Sequence, residues 1–180
     1  MDIWTDVMVD VETTGLNSGR NGILQIGAVR FNLETKAVDS NFFNQSLTLP
    51  TTRAWDEDTR RWWGQQKAGV LTEIQSRARP HATVIEEFAK WGYLNPGIRF
   101  WAKPVQFDFP FIDTYMTDNN LINPWKYYDT VDLNSYLKGR YKNFQVPKIE
   151  VPASGDAHNA LNDCLWQLKY LFLHEEKLNG

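Results

Sequence analysis

Cysteine is scarce in this chain: Cys164 is the one such residue in 180. A lone thiol has no internal partner, so no disulfide framework holds the fold and nothing in its stability demands an oxidising compartment. Long apolar runs are missing as well. No stretch approaches the ~18 consecutive apolar residues of a membrane helix, and no membrane partner is expected. The opening MDIWTDVMVD carries Asp2 and Asp6 where a secretory leader would have a basic end followed by an apolar run, so the expectation is a soluble cytoplasmic protein. Positive charge is not in excess either. With 19 basic and 22 acidic residues the net charge is -3, which argues against a protein that grips a polyanion by bulk electrostatics alone. There is no internal repeat, low-complexity tract or long linker.

What is present is the composition of a folded domain. Hydrophobic residues make up 42% and charged residues 23%, a globular rather than a disordered balance, and 14% aromatics can build a heavy core. Cores usually close at about 100 to 200 residues, so residues 1–180 are expected to form a single domain.

Short alternating segments come first: Val7 to Val11, Ile23 to Phe31, and the stretch from Phe42 to Leu49. The turn signals Asn21-Gly22 and Asn32 to Asp39 separate them, which reads as three strands joined by hairpins. Asp56 to Gln66 is a short helix with acids in its first turn, where the helix dipole favours them. Thr83 followed by Glu86 is a capping-box pattern opening a helix toward Tyr93. Ile98 to Ala102 reads as a strand, Phe111 to Asp118 as a helix, and Tyr127 to Asp132 holds a last short strand. Leu161, Leu165, Leu168 and Phe172 line one stripe of a C-terminal amphipathic helix. Three antiparallel strands followed by alternating helices and strands predict an α/β fold, a mixed five-stranded sheet flanked by helices.

Two carboxylates interrupt the first strand. In VMVDVETTGL, Asp10 and Glu12 point to one face while Val7, Val9 and Val11 point to the other. Carboxylates that close together raise each other's pKa unless a cation compensates, so the triplet calls for a hard metal ion or for one acid capping a turn. Asp108 follows the strand Ile98 to Ala102 amid Phe107, Phe109, Phe111 and Ile112, where a charge needs a partner. It reads equally as a helix N-cap ahead of Pro110. In DAHNALNDCLW, Asp163 falls opposite or beside the apolar stripe. His158, five residues earlier, shares a site with it only from a loop or first helical turn, which Asp156 as N-cap would provide. If four of these acids hold two divalent cations, the formal charge moves from -3 to +1, and the objection to a polyanionic partner weakens.

Asp10-x-Glu12 in VDVETTGL, Asp108 in FDFPFI and His158-x4-Asp163 in HNALNDC resemble, in order, the three motifs of the DEDDh, or DnaQ-like, 3′-to-5′ exonucleases. The segment DTRRWWGQQ further resembles the Asp-Thr-x-x-Trp-Trp stretch of the subgroup of T-even phage exonuclease A and small bacterial exoribonucleases. The resemblance implies an RNase H-like sheet on which Asp10, Glu12, Asp108 and Asp163 hold two Mg2+ or Mn2+ ions, with Asp10 between them and His158 as general base. Its implied partner is a single-stranded 3′ end of DNA or RNA, hydrolysed to nucleoside 5′-monophosphates. Two metals about 3.5 to 4 Å apart suit that chemistry, activating a water and neutralising the leaving oxygen.

Thr13 and Leu16 carry over from the family as contacts to the terminal nucleotide, and Phe107, next to Asp108 in the sequence, is a further substrate-side candidate. Trp62 and Trp63 point about 100° apart on a helix, so they cannot be equally buried: either both serve packing, or one belongs to the core and the other stacks on a base. Where subgroup members commonly carry a small polar residue, often Asn, this chain has Lys103 and Pro104, and Lys103 is a candidate phosphate contact. Lys138, Arg140, Lys142 and Lys148 lie in an acid-free stretch with Tyr141 and Phe144, either a solvated face or a strand-gripping flap. Cys164 has no catalytic partner of its own and is assigned to packing. The competing readings are a catalytically silent nucleic-acid-binding module of the same fold and a proofreading or accessory subunit. Self-association into a homo-oligomer is left open.

Overall fold

ILQIGAVRF is buried from end to end and forms β2, Ile23–Phe31. A strand covered on both faces has to lie inside its sheet, and β2 does. It pairs antiparallel with β1, Asp6–Thr13, on one edge and with β3, Phe43–Ser46, on the other. Along its far edge β1 pairs in parallel with β4, Arg99–Ala102, and β4 pairs in parallel with β5, Thr130–Asp132. The computed structural model describes residues 4–95, 97–152, 155 and 157–180, and its sheet order is β3-β2-β1-β4-β5. This is the mixed five-stranded sheet expected from the segment order.

Helices cover both faces. On one, Val7, Val9 and Val11 of β1 pack with Val84, Ile85 and Phe88 of α3, His81–Tyr93, and with Phe111, Ile112 and Tyr115 of α4, Val105–Asp118. On the other, Met8, Val29, Phe31 and Trp101 lie beneath Leu133 and Leu137 of α5, Leu133–Tyr141, and Cys164, Leu168 and Leu171 of α6, Ala160–Asn179. At ~1.5 to 3 kcal/mol for each fully buried aliphatic or aromatic side chain, these two layers dominate the stability. A third cluster joins Leu24 to Trp63 of α1, Glu57–Gly64, and to Val70 and Ile74 of α2, Val70–Ser76. Among the described residues no helix is long and apolar enough to cross a membrane.

Several local expectations need correction. The Thr83–Glu86 capping box does not open α3: the helix starts at His81 after Pro80, whose carbonyl accepts from the Val84 N–H at 3.1 Å. The Thr48 hydroxyl already accepts from the His81 N–H at 3.3 Å, so Thr83 falls inside the first turn. Asp108 is not an N-cap, because α4 begins at Val105 after Pro104, earlier than the stretch from Phe111. The last short strand expected within Tyr127 to Asp132 is present as β5, with a short 3-10 turn at Tyr127–Asp129 leading into it. The buried seam of α6 runs through Ala160, Cys164, Gln167, Leu168 and Leu171, while Leu161, Leu165 and Phe172 flank it half-buried. Asp156 lies outside the described residues, and Asn159 caps α6 through Asn162 N–H at 3.3 Å. The basic stretch is not a free flap as a whole. Lys138 and Arg140 belong to α5, and Arg140 forms a forked pair with Glu175 of α6, both bonds at 2.9 Å.

Candidate active site

The acids meet at the C-terminal end of β1. β1 outruns β4, whose pairing with it covers only Asp6 to Met8. The unpaired Val11 N–H beyond that point donates to Asp108 Oδ1 at 2.9 Å, so an open sheet edge anchors the α4 acid beside the β1 acids. α6 supplies the fourth. Its first turn passes so close over β2 that a Cβ on Gly27 would lie 2.3 Å from the Ala160 carbonyl carbon. The Ala160 N–H donates to Gln25 Oε1 at 3.0 Å, and Cys164 Sγ packs 3.3 Å from Gly27 O. That approach brings Asp163 over Asp10 and Glu12, and Cys164 takes the packing role expected of it.

His158 precedes α6 in the left-handed region, φ 61°, uncommon for a residue with a side chain. Its N–H donates to Asp163 Oδ2 at 3.1 Å. The ring meets Trp62 edge-on, centroids 4.7 Å apart. Ligand atoms of Glu12, His158 and Asp163 all lie within 4.8 Å of one another. Asp10 and Asp108 stand outside that tight trio but act on it electrostatically.

Charge compensation separates this cluster from an ordinary buried acid. Asp6, four residues upstream on the same strand, is fully buried and neutralised by protein groups: Arg99 at 2.6 and 2.8 Å, Trp101 Nε1 at 2.6 Å and the Thr5 hydroxyl at 2.6 Å. Among the described residues no lysine or arginine reaches Asp10, Glu12, Asp108 or Asp163. Burial first, and then Asp163, pushes Asp10 up to about 7, against a 2.8 Å hydrogen bond from Gln167 Nε2. Burial lifts Glu12 well above the carboxylate range, with Asp10, Asp163 and Asp108 adding to it. Asp108 is raised by burial and by Asp10 against the Val11 N–H. Asp163 is raised by burial against the pull of His158. Four such oxygen donors could hold a hard divalent cation, which would relieve these shifts. The orphaned, buried Oε1 of Gln167 beside Asp10 is a further acceptor that a hydrated ion suits.

A cleft of about 690 Å³ opens next to Glu12, lined by Thr13, Leu16, Asn17, Trp62, Trp63 and Phe107 among others. Its size is in the range of a small-ligand pocket. The tryptophans divide as their helical offset demands. Trp63 is 3% exposed and donates Nε1–H to Thr13 O at 3.0 Å, while Trp62 is 39% exposed and faces the cleft. Leu16, 81% exposed, projects from the β1–β2 connection.

Residues 5–173 match the model of a family described as the Rv2179c-like 3′-5′ exoribonuclease domain. The chain belongs to this family. The match places it within the DnaQ-like 3′-5′ exonuclease superfamily. No curated protein sequence matches it significantly. Among solved structures the chain resembles E. coli exonuclease I with a dT13 oligonucleotide, at TM-score 0.71 and 14% identity over 96% of this chain and 42% of that one. It likewise resembles the zinc-ion-bound E. coli exonuclease I–ssDNA complex, at TM-score 0.75 and 14% identity over 98% and 41%. Exonuclease I from Methylocaldum szegediense gives TM-score 0.69 and 16% identity over 96% and 41%. The exonuclease-domain chain thus spans about two fifths of the length of these proteins, and the likeness is one of fold.

Two placements were not legible in the sequence of this exoribonuclease-family chain. Gln167, one helical turn beyond Asp163, holds Asp10, and its position at i+4 from a motif acid was the available signal. Lys103 does not line the cleft: its ammonium lies over the rings of Trp166 and Tyr170, 4.6 and 5.0 Å from their centroids.

Proposed function

We propose that this chain is a metal-dependent 3′-to-5′ exonuclease of the DEDDh subclass. It hydrolyses phosphodiester bonds at single-stranded 3′ ends and releases nucleoside 5′-monophosphates. The observation that carries the reading is the meeting of Asp10, Glu12, Asp108 and Asp163, uncompensated by any lysine or arginine among the described residues, beside His158 and an aromatic cleft. The four carboxylates would hold two divalent ions, Mg2+ or Mn2+, which supply charge neutralisation at the phosphate and a polarised water.

The remaining work falls to the chain's own groups. His158, with Trp62 against its ring and Asp163 on its backbone N–H, is held where its imidazole takes the proton of the attacking water. Gln167 fixes one oxygen of Asp10 and so directs the other. Leu16 and Trp62 enclose the terminal base from two sides of the cleft, with Thr13 and Phe107 as its walls. Stacking on Trp62 contributes roughly 1 to 3 kcal/mol and tolerates any base. The family description makes RNA the first substrate to test and DNA the second.

The test uses matched single-stranded RNA and DNA oligomers labelled at the 5′ end, with Mg2+, Mn2+ or EDTA. A ladder shortening from the 3′ end, nucleoside 5′-monophosphate as product, silence in EDTA and loss of activity in Asp10→Ala are expected. Shortening from the 5′ end, or an Asp10→Ala rate equal to that of the unmodified chain, would refute the assignment.

A further inference from the structure

Lys103 is a half-buried cation whose charge no carboxylate answers among the described residues. Burial lowers its pKa with no acid opposing the shift. It rests on a shelf formed by Trp166 and Tyr170, whose rings are parallel within 10° and 5.3 Å apart. An aromatic bed of this kind holds an ammonium by cation–π attraction and restricts its rotamers in advance.

The position follows from the sheet. Met8 and Trp101 are partners across the parallel β1–β4 pair and both lie under α6. Lys103 follows Ala102, the last residue of β4, in the turn that leads into α4, beyond the stretch where β1 and β4 pair. From α6, Gln167 reaches Asp10 while its neighbours Trp166 and Tyr170 reach Lys103. Apart from Phe107, the cleft lies on the β2 side of β1, built from β1, the β1–β2 connection and α1. Lys103 follows β4, the neighbour of β1 on the opposite side. A strand whose terminal nucleotide fills the cleft and whose scissile phosphate lies at the acids is therefore carried toward Lys103.

We propose that Lys103, seated on Trp166 and Tyr170, binds the backbone phosphate immediately upstream of the scissile one. The inference rests on the exonuclease reading above and adds a subsite to it. A dinucleoside monophosphate has only the scissile phosphate and cannot use the subsite. A trinucleoside diphosphate has one upstream phosphate and can.

The test compares Lys103→Gln and Lys103→Arg with the unmodified chain, each checked for folding by circular dichroism. Binding of a fluorescent single-stranded pentanucleotide in EDTA is followed by anisotropy from about 50 to 200 mM salt, the range in which phosphate contacts are read. KM is measured in Mg2+ for the di- and trinucleotide. Lys103→Gln is expected to flatten the slope of log affinity against log salt by about 0.7, the value for one phosphate contact on a single strand. It should raise KM for the trinucleotide alone, and Lys103→Arg should retain both properties. An unchanged slope would show the lysine to be packing and overturn the proposal. An equal loss on the dinucleotide would overturn it in favour of the scissile phosphate, and weakened binding of a free nucleoside 5′-monophosphate with the strand unaffected would overturn it in favour of a product site. If the unmodified chain shortens no strand, the exonuclease reading falls and the salt slope still decides whether Lys103 contacts a phosphate.

Discussion

Replacing Asp10 by Asn should stabilise the metal-free protein while ending its activity. The Asp10 carboxyl titrates at about 7 in the fold against 3.8 for the free side chain. Between those values the folded state holds the extra proton, so stability falls as pH rises through that window and the full penalty is present above it. At about 1.4 kcal/mol per pH unit, the ionised side chain withdraws about 4 kcal/mol at pH 8. Asparagine has the same shape, carries no charge and can still accept the Gln167 N–H through its own oxygen. For a domain of this size about 2 to 4 °C of Tm accompanies each kcal/mol, so the metal-free variant should melt roughly 8 to 16 °C higher at pH 8 and near the unmodified protein at pH 4. Saturating Mg2+ should reverse the order, since ligand binding stabilises only the chain that keeps its full donor set. Thermal unfolding followed by circular dichroism in EDTA at both pH values, then in Mg2+, makes the comparison. A variant no more stable than the unmodified chain at pH 8, or one equally stabilised at both pH values, would refute the account of an uncompensated acid cluster.

Trp63→Ala removes a buried indole and its bond to Thr13 O and should lower stability by about 3 to 5 kcal/mol. Trp62→Ala should leave the melting curve nearly unchanged and raise KM by the equivalent of roughly 1 to 3 kcal/mol; urea unfolding and steady-state kinetics separate the two. Gln167→Leu deletes the donor to Asp10 and should weaken metal binding or turnover by about 10- to 100-fold, read by calorimetric Mn2+ titration alongside kcat. Gly27→Ala drives a methyl into the backbone of Ala160, at ~1 to 3 kcal/mol of overpacking. Because α6 carries both Asp163 and Gln167, activity in that variant should fall further than its stability loss explains, as measured at a temperature where it is fully folded.

Alternation and order along the chain were enough to anticipate the sheet. ILQIGAVRF, the valines of β1 and Ile98 to Ala102 became strands in the expected arrangement, because their burial is written directly into apolar spacing. Helix beginnings were less legible. Thr83–Glu86 has the capping letters, but the Thr48 hydroxyl meets the His81 N–H and Pro80 starts the helix earlier. The seam of α6 was read one row aside, since a leucine stripe marks the most apolar line and the packed line includes Gln167 and small residues that fit against Gly27. Arg140 looked available in a basic stretch because its partner, Glu175, is 35 residues away in the chain.

The candidate site shows the same division. Asp10, Glu12, Asp108, His158 and Asp163 were nameable as a set only through their resemblance to the exonuclease motifs, since a resemblance is read from the order of the chain alone. Which acids repel one another uncompensated, which tryptophan faces the cleft, that Gln167 grips Asp10 and that Lys103 rests on an aromatic pair were decided by the folded arrangement. Electrostatic energy depends on distance through space and on burial, and neither quantity exists until β1, α4 and α6 have come together.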